Sequence, residues 1–110
     1  MLNFIKVVKV IFMKSNLRNY LRAQAHDIDP IVMVGKEGVS DNVIYALDQA
    51  LLHHELVKVR FQAKKEFIKE LSNKLAKETN SDLIYVIGFI AIFYRKSEEN
   101  LIDIPKSLLN

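Results

Sequence analysis

Apolar positions along the chain switch repeatedly between helical and strand spacing. From Ser15 to about His26, Leu17, Tyr20, Leu21 and Ala25 fall on one helical face, with Ser15 as the expected cap. Asp27–Pro30 breaks that helix, because a residue before proline is pushed toward extended backbone. Ile31–Val34 is a short, continuous apolar run that reads as a buried strand, and Gly35-Lys36-Glu37-Gly38 as a tight loop. Ser40 or Asp41 then opens a second helix to about His53, with Val43, Leu47, Ala50 and Leu51 inward. Leu56–Phe61 alternates, with Val57, Val59 and Phe61 on one face and Lys58 and Arg60 on the other. A third helix is predicted from about Lys64 to Thr79, with Ile68, Leu71 and Leu75 inward, followed by a turn at Asn80–Asp82. Two strands flank Gly88, and the last ten residues read as a weak strand or tail. The order α-β-α-β-α-β-β implies a mixed four-stranded sheet with helices packed on it. The βα units supply parallel pairing and the final pair is antiparallel.

Composition narrows the class without naming a function. The 110 residues are 50% apolar and 26% charged, which suits one globular core. The absence of cysteine excludes disulfides, a thiolate nucleophile and a cysteine zinc site. The net charge of +3 is a weak pointer to an anionic partner, but its distribution is uneven. The first 26 residues carry five basic side chains and no acid. Within Met1–Phe12, Lys6 and Lys9 interrupt the apolar run and no small-residue cleavage site follows, so a signal peptide is not expected. The expected division is an N-terminal extension over 1–12, poorly ordered, one domain over 13–105 and a tail over 106–110. Leu83–Tyr94 is too short for a membrane helix, and a cytoplasmic protein is expected.

The chemistry-bearing candidates are few. Gly35–Gly38 lies after a strand and before a capped helix. There, glycines allow close backbone approach and the helix N-terminus offers free N–H groups to an anion. This is the chemistry by which KH domains clamp a nucleic-acid backbone, although an ordinary βα turn has the same sequence pattern. Lys14, Arg18 and Arg22 recur every four residues as a basic stripe, Lys58 and Arg60 share a strand face, and either set is also compatible with a solvated surface. Lys64 and Lys65 stand at a helix N-terminus, where cations are unfavourable. His26, His53 and His54 lack metal-ligand spacing, and no nucleophile–base arrangement can be placed, so neither a metal, a cofactor nor an enzyme is expected. Tyr85 and Tyr94 read as core residues.

Taken together, Leu21-Arg22-Ala23-Gln24-Ala25-His26, Pro30, Gly35-Lys36-Glu37-Gly38-Val39, His53-His54-Glu55-Leu56-Val57-Lys58-Val59, Val86-Ile87-Gly88 and Phe93-Tyr94-Arg95 resemble the CRM domain in its stand-alone bacterial form, the YhbY family. The resemblance spans roughly residues 14–105. It implies a two-layer α+β sandwich similar to the C-terminal domain of a bacterial translation initiation factor. It also implies RNA binding, with precursors of the large ribosomal subunit as partner. The family loop maps onto Gly35, Lys36, Glu37 and Gly38, and its basic surface onto Arg18, Arg22, Lys58 and Arg60. Glu37 departs from a uniformly electropositive loop. The expected protein is a monomer without a small-molecule substrate or membrane attachment. Two other readings compete: an adaptor that contacts assembly proteins without touching RNA, and surface membrane attachment through Met1–Phe12.

Overall fold

A computed structural model describes residues 13–109. The expected N-terminal extension, with Lys6, Lys9 and the proposed membrane contact, lies outside the described residues. The elements are α1 (Ser15–Gln24) with a 3-10 turn at Ala25–Asp27, β1 (Val32–Val34), α2 (Asp41–His54), β2 (Leu56–Phe61), α3 (Lys65–Thr79), β3 (Asp82–Ile87), β4 (Ile90–Tyr94) and a 3-10 turn at Lys106–Leu108. One sheet runs β1-β2-β4-β3. β1 and β2 are parallel, while β4 is antiparallel to both β2 and β3.

Local chemistry explains most boundaries. Ser40 caps α2, its hydroxyl accepting from Val43 N–H at 3.3 Å, and Asp41 sits in the favourable first turn. α3 ends where Asn80 turns left-handed (φ 53°) and Ser81 N–H closes onto the Ala76 carbonyl at 2.9 Å. Ser15 is not the cap of α1. The Lys14 carbonyl already accepts from Arg18 N–H at 3.0 Å, so the helix starts one residue earlier and Ser15 lies inside it.

The sheet has a different cover on each face. α2 and α3 pack on the first face against Val32, Val34, Val57, Val59, Phe61, Ala91 and Phe93. This is the expected two-layer core. On the second face, Leu21 and Ala25 of the first helical segment bury Leu56, Ile84, Ile92 and Tyr94, with Ile102 and Ile104 from the C-terminal segment alongside. This cover is partial and leaves the β1 side of the second face open. Ile31–Val34 is therefore not wholly buried. Val32 and Val34 are, but Ile31 and Met33 are 54% and 50% exposed, because β1 is an edge strand beyond the reach of α1.

No strand forms after β4 among the described residues. Instead a buried carboxylate holds the C-terminal segment. Glu55, at the end of α2 with φ 64°, is fully buried. It accepts from Ser97 N–H at 2.8 Å, from the Ser97 hydroxyl, and from Ile102 N–H at 3.0 Å. Burial pushes its pKa up, but these bonds and one from the Leu101 backbone outweigh burial and hold it below the ordinary value. The Tyr20 hydroxyl donates to the Asp103 carbonyl at 2.7 Å, which fastens the same segment to α1. Beside Glu55, burial together with the Glu55 and Asp82 carboxylates pushes the Tyr94 hydroxyl up to about 12.

Candidate nucleic-acid interface

Three connections meet at one end of the sheet. The Gly35–Gly38 loop leaves β1, the 62–64 segment leaves β2, and the Gly88–Phe89 turn joins β3 to β4. They are tied together by Gln62 N–H to the Val34 carbonyl and Phe61 N–H to the Phe89 carbonyl, both at 2.8 Å. Gly38 N–H bonds to the Gly35 carbonyl at 3.0 Å, so Lys36 and Glu37 form the exposed corner of a tight turn.

The two glycines do different jobs. Gly38 has φ 82°, a backbone region that side chains resist. Gly35 has no positive φ, and a Cβ placed there would meet nothing within 4 Å. Neither its conformation nor its neighbours require glycine at Gly35. Its bare backbone leaves the approach from solvent open at the start of the loop that leads to the Ser40 cap of α2.

The open part of the second sheet face carries the strand cations. Register places Met33, Arg60, Ile90 and Ile87 in one row across the four strands, and Lys58, Ile92 and Tyr85 in the next. Arg60 is exposed and Lys58 half-buried, the Lys58 ammonium donating to the His26 carbonyl at 3.3 Å. Arg22 lies with its guanidinium 3.6 Å from the centre of the Tyr85 ring, and remains exposed. Arg22, Lys58 and Arg60 thus share one surface, next to the strand that feeds the glycine loop. Tyr85 is not a plain core residue, because it is half-buried and supports Arg22.

Arg18 departs from the basic stripe. Its Nη1 donates to the Leu83 carbonyl at 2.5 Å and the Ile84 carbonyl at 3.1 Å. β3 has a bulge between Leu83 and Tyr85, and α1 uses Arg18 to occupy carbonyls beside that irregularity. Lys14 stays exposed and Arg22 is turned to Tyr85, so helical spacing alone does not keep these three cations together. Arg95 is likewise committed within the fold, bonding Asp48 Oδ1 and the Thr79 carbonyl at 2.7 Å each. Of the two cations at the start of α3, Lys65 has a local partner, its ammonium lying 5.8 Å from the centre of the Phe89 ring.

Sequence reasoning missed Met33 and Ile87, which are 50% and 58% exposed beside Arg60 and Ile90. No sequence signal marks them, because exposure of an apolar strand residue depends on what packs above it. Among the described residues, no three His, Cys, Asp or Glu side chains are grouped to hold a metal ion, and no helix is long and apolar enough to cross a membrane.

Comparison with known proteins gives this geometry a family. The model of the CRS1 / YhbY (CRM) domain matches residues 13–95, from α1 through β4. The chain is 36% identical over 90 residues to the "RNA-binding protein" of Haemophilus influenzae, covering 81% of this chain and 91% of that one. It is 38% identical over 90 residues to "Probable RNA-binding protein YqeI" of Bacillus subtilis, covering 80% and 94% respectively. The solution structure of the hypothetical protein SAV1595 from Staphylococcus aureus superimposes with a TM-score of 0.76 at 40% identity, over 86% of this chain and all of that one. Both sequence and architecture therefore place the chain in the CRS1 / YhbY (CRM) domain family.

Proposed function

We propose that this protein is a monomeric RNA-binding factor that associates with precursors of the large ribosomal subunit and assists their assembly in the cytoplasm. The observation that carries the RNA-binding reading is the pairing of an open, lysine-bearing glycine turn at a helix N-terminus with the exposed cationic sheet face next to it. Curated relatives of nearly the same length carry RNA binding in their names, which supports the same reading.

In this mechanism Gly35 and Gly38 let a phosphate approach the loop backbone and the first turn of α2, while Lys36 supplies a mobile charge. Arg60 and Lys58 extend the phosphate contact along β2, and Arg22 on α1 borders it. Glu37, exposed in the same turn, lowers the positive charge of the loop and lies before the helix N-terminus, where an acid is favourable. Arg18 contributes by holding α1 against β3 rather than by its own charge. Neutralising about four phosphates of single-stranded RNA gives a slope of log K against log salt near −3.

Lys36→Ala tests the site directly. The variant keeps its unfolding midpoint, because Lys36 is exposed at a turn corner, and loses RNA affinity in a filter-binding or fluorescence-anisotropy titration. Unchanged affinity removes the loop from the interface, and a salt-independent affinity refutes the electrostatic mechanism. The adaptor reading draws on Tyr45 and Leu52, exposed on one side of α2. Co-purification with large-subunit particles that survives RNase treatment favours it.

A further inference from the structure

The segment Leu21–Asp27 divides its side chains between two tasks. Leu21 and Ala25 are fully buried beneath the helix. Arg22, Ala23, His26 and Asp27 are exposed, and with Asn19 they line one open hollow of about 560 Å³. Nothing in the core requires the chemistry of these outer residues. The hollow is shallow and lined by one helical segment alone, so it offers a ligand a face and an edge rather than an enclosing pocket.

Its chemistry selects among ligands. Arg22 is held flat by the Tyr85 ring at 3.6 Å, so the opposite side of a planar, cationic surface is presented outward. Planar guanidinium groups are platforms on which unpaired bases stack. Asp27 opposes a phosphate in the hollow but can accept hydrogens from the amino edge of a base, and the Asn19 amide can both donate and accept. Lys58 does not line the hollow, and its ammonium donates to the His26 carbonyl from the sheet. The charges therefore sort into a base-facing group on α1 and a phosphate-facing group on β2 and the loop.

We propose that this hollow is a nucleobase site: one unpaired base of the bound RNA stacks on Arg22, with its edge read by Asn19, His26 and Asp27. This rests on the RNA-binding reading above, and it specifies the RNA as single-stranded at that point. The site is separate from the Gly35–Gly38 loop, which grips the backbone.

The charge-conserving substitution Arg22→Lys separates stacking from electrostatics. The probe is an unstructured twelve-nucleotide RNA, titrated beside the same oligonucleotide carrying abasic residues throughout. A stacked base corresponds to about fivefold in affinity or more. Arg22→Lys should lose that factor on the intact RNA, keep the wild-type salt slope, and match wild type on the abasic probe. Tyr85→Leu, which removes the supporting ring and keeps an apolar side chain, should show the same pattern, with circular dichroism confirming the fold. Equal affinity of wild type and Arg22→Lys for intact RNA overturns the base site and leaves RNA binding standing. So does an equal loss on both probes, which makes Arg22 a phosphate contact. Failure of the wild type to bind either probe overturns both readings together.

Discussion

Gly35→Ala and Gly38→Ala should damage different properties of the same turn. At Gly38 the backbone has φ 82°. An L-residue there is strained by about 1–2 kcal/mol, so Gly38→Ala should lower stability by that amount. Gly35 has no positive φ, and the space around a new Cβ is empty out to 4 Å. Gly35→Ala therefore incurs no native strain, and by restricting the unfolded chain it should leave stability unchanged or raise it by about 0.4–1 kcal/mol. Its effect should appear on RNA. A methyl group at the approach to the helix N-terminus displaces a phosphate from the backbone donors. Loss of one charge-assisted hydrogen bond is about 1.5–3 kcal/mol, or roughly 10- to 150-fold in affinity. Urea unfolding measures the first quantity and fluorescence anisotropy with an unstructured RNA the second. If Gly35→Ala is destabilised as much as Gly38→Ala, the fold needs that glycine and the argument for an open approach fails. If it is stable and binds RNA as wild type does, phosphate does not pass over Gly35.

Two further outcomes concern the supports of this interface. Glu55→Gln leaves an amide facing backbone donors in a fully buried position, so its urea midpoint should fall by the equivalent of about 1.5–3 kcal/mol. An unchanged midpoint would show that the clasp on the C-terminal segment is energetically idle. The folded pKa of Glu55 is depressed below 4.5. Its contribution is therefore complete above the unfolded value and is lost as pH falls through the folded one, because the unfolded chain takes up the proton first. Glu55→Gln should flatten that part of the acid stability curve, measured by unfolding from pH 6 down to about 3. Arg18→Ala frees the Leu83 and Ile84 carbonyls and should cost about 1–3 kcal/mol of stability. Its RNA affinity at saturating fold should change less than that of Arg60→Ala. The reverse ranking would return Arg18 to the RNA surface.

Much of this protein is decided by residues close together in sequence. The spacing of Val43, Leu47, Ala50 and Leu51, the Ser40 cap, the alternation of Leu56–Phe61 and the turn at Gly88 are local patterns, so the element order can be read from them. The glycine loop is legible for the same reason, since a turn between a strand and a capped helix needs no distant partner to declare itself. The start of α1 is legible only to within a residue, since Lys14 stands at the cap without a side-chain bond and Ser15 lies inside the helix.

The fate of each cation was not legible. Arg18, Arg22 and Lys14 look equivalent on a helical stripe. A bulge in β3, more than sixty residues away in sequence, takes Arg18 into the fold, and the Tyr85 ring takes Arg22 onto its face. Likewise the apolar run Ile31–Val34 does not reveal that β1 ends up at a sheet edge with Met33 uncovered. The sequence by itself determined the elements, their order, the family resemblance and the loop. Only the tertiary structure decided which face stays open and which charges remain available on it, because burial and hydrogen bonding are set by strand order and by partners brought from far along the chain.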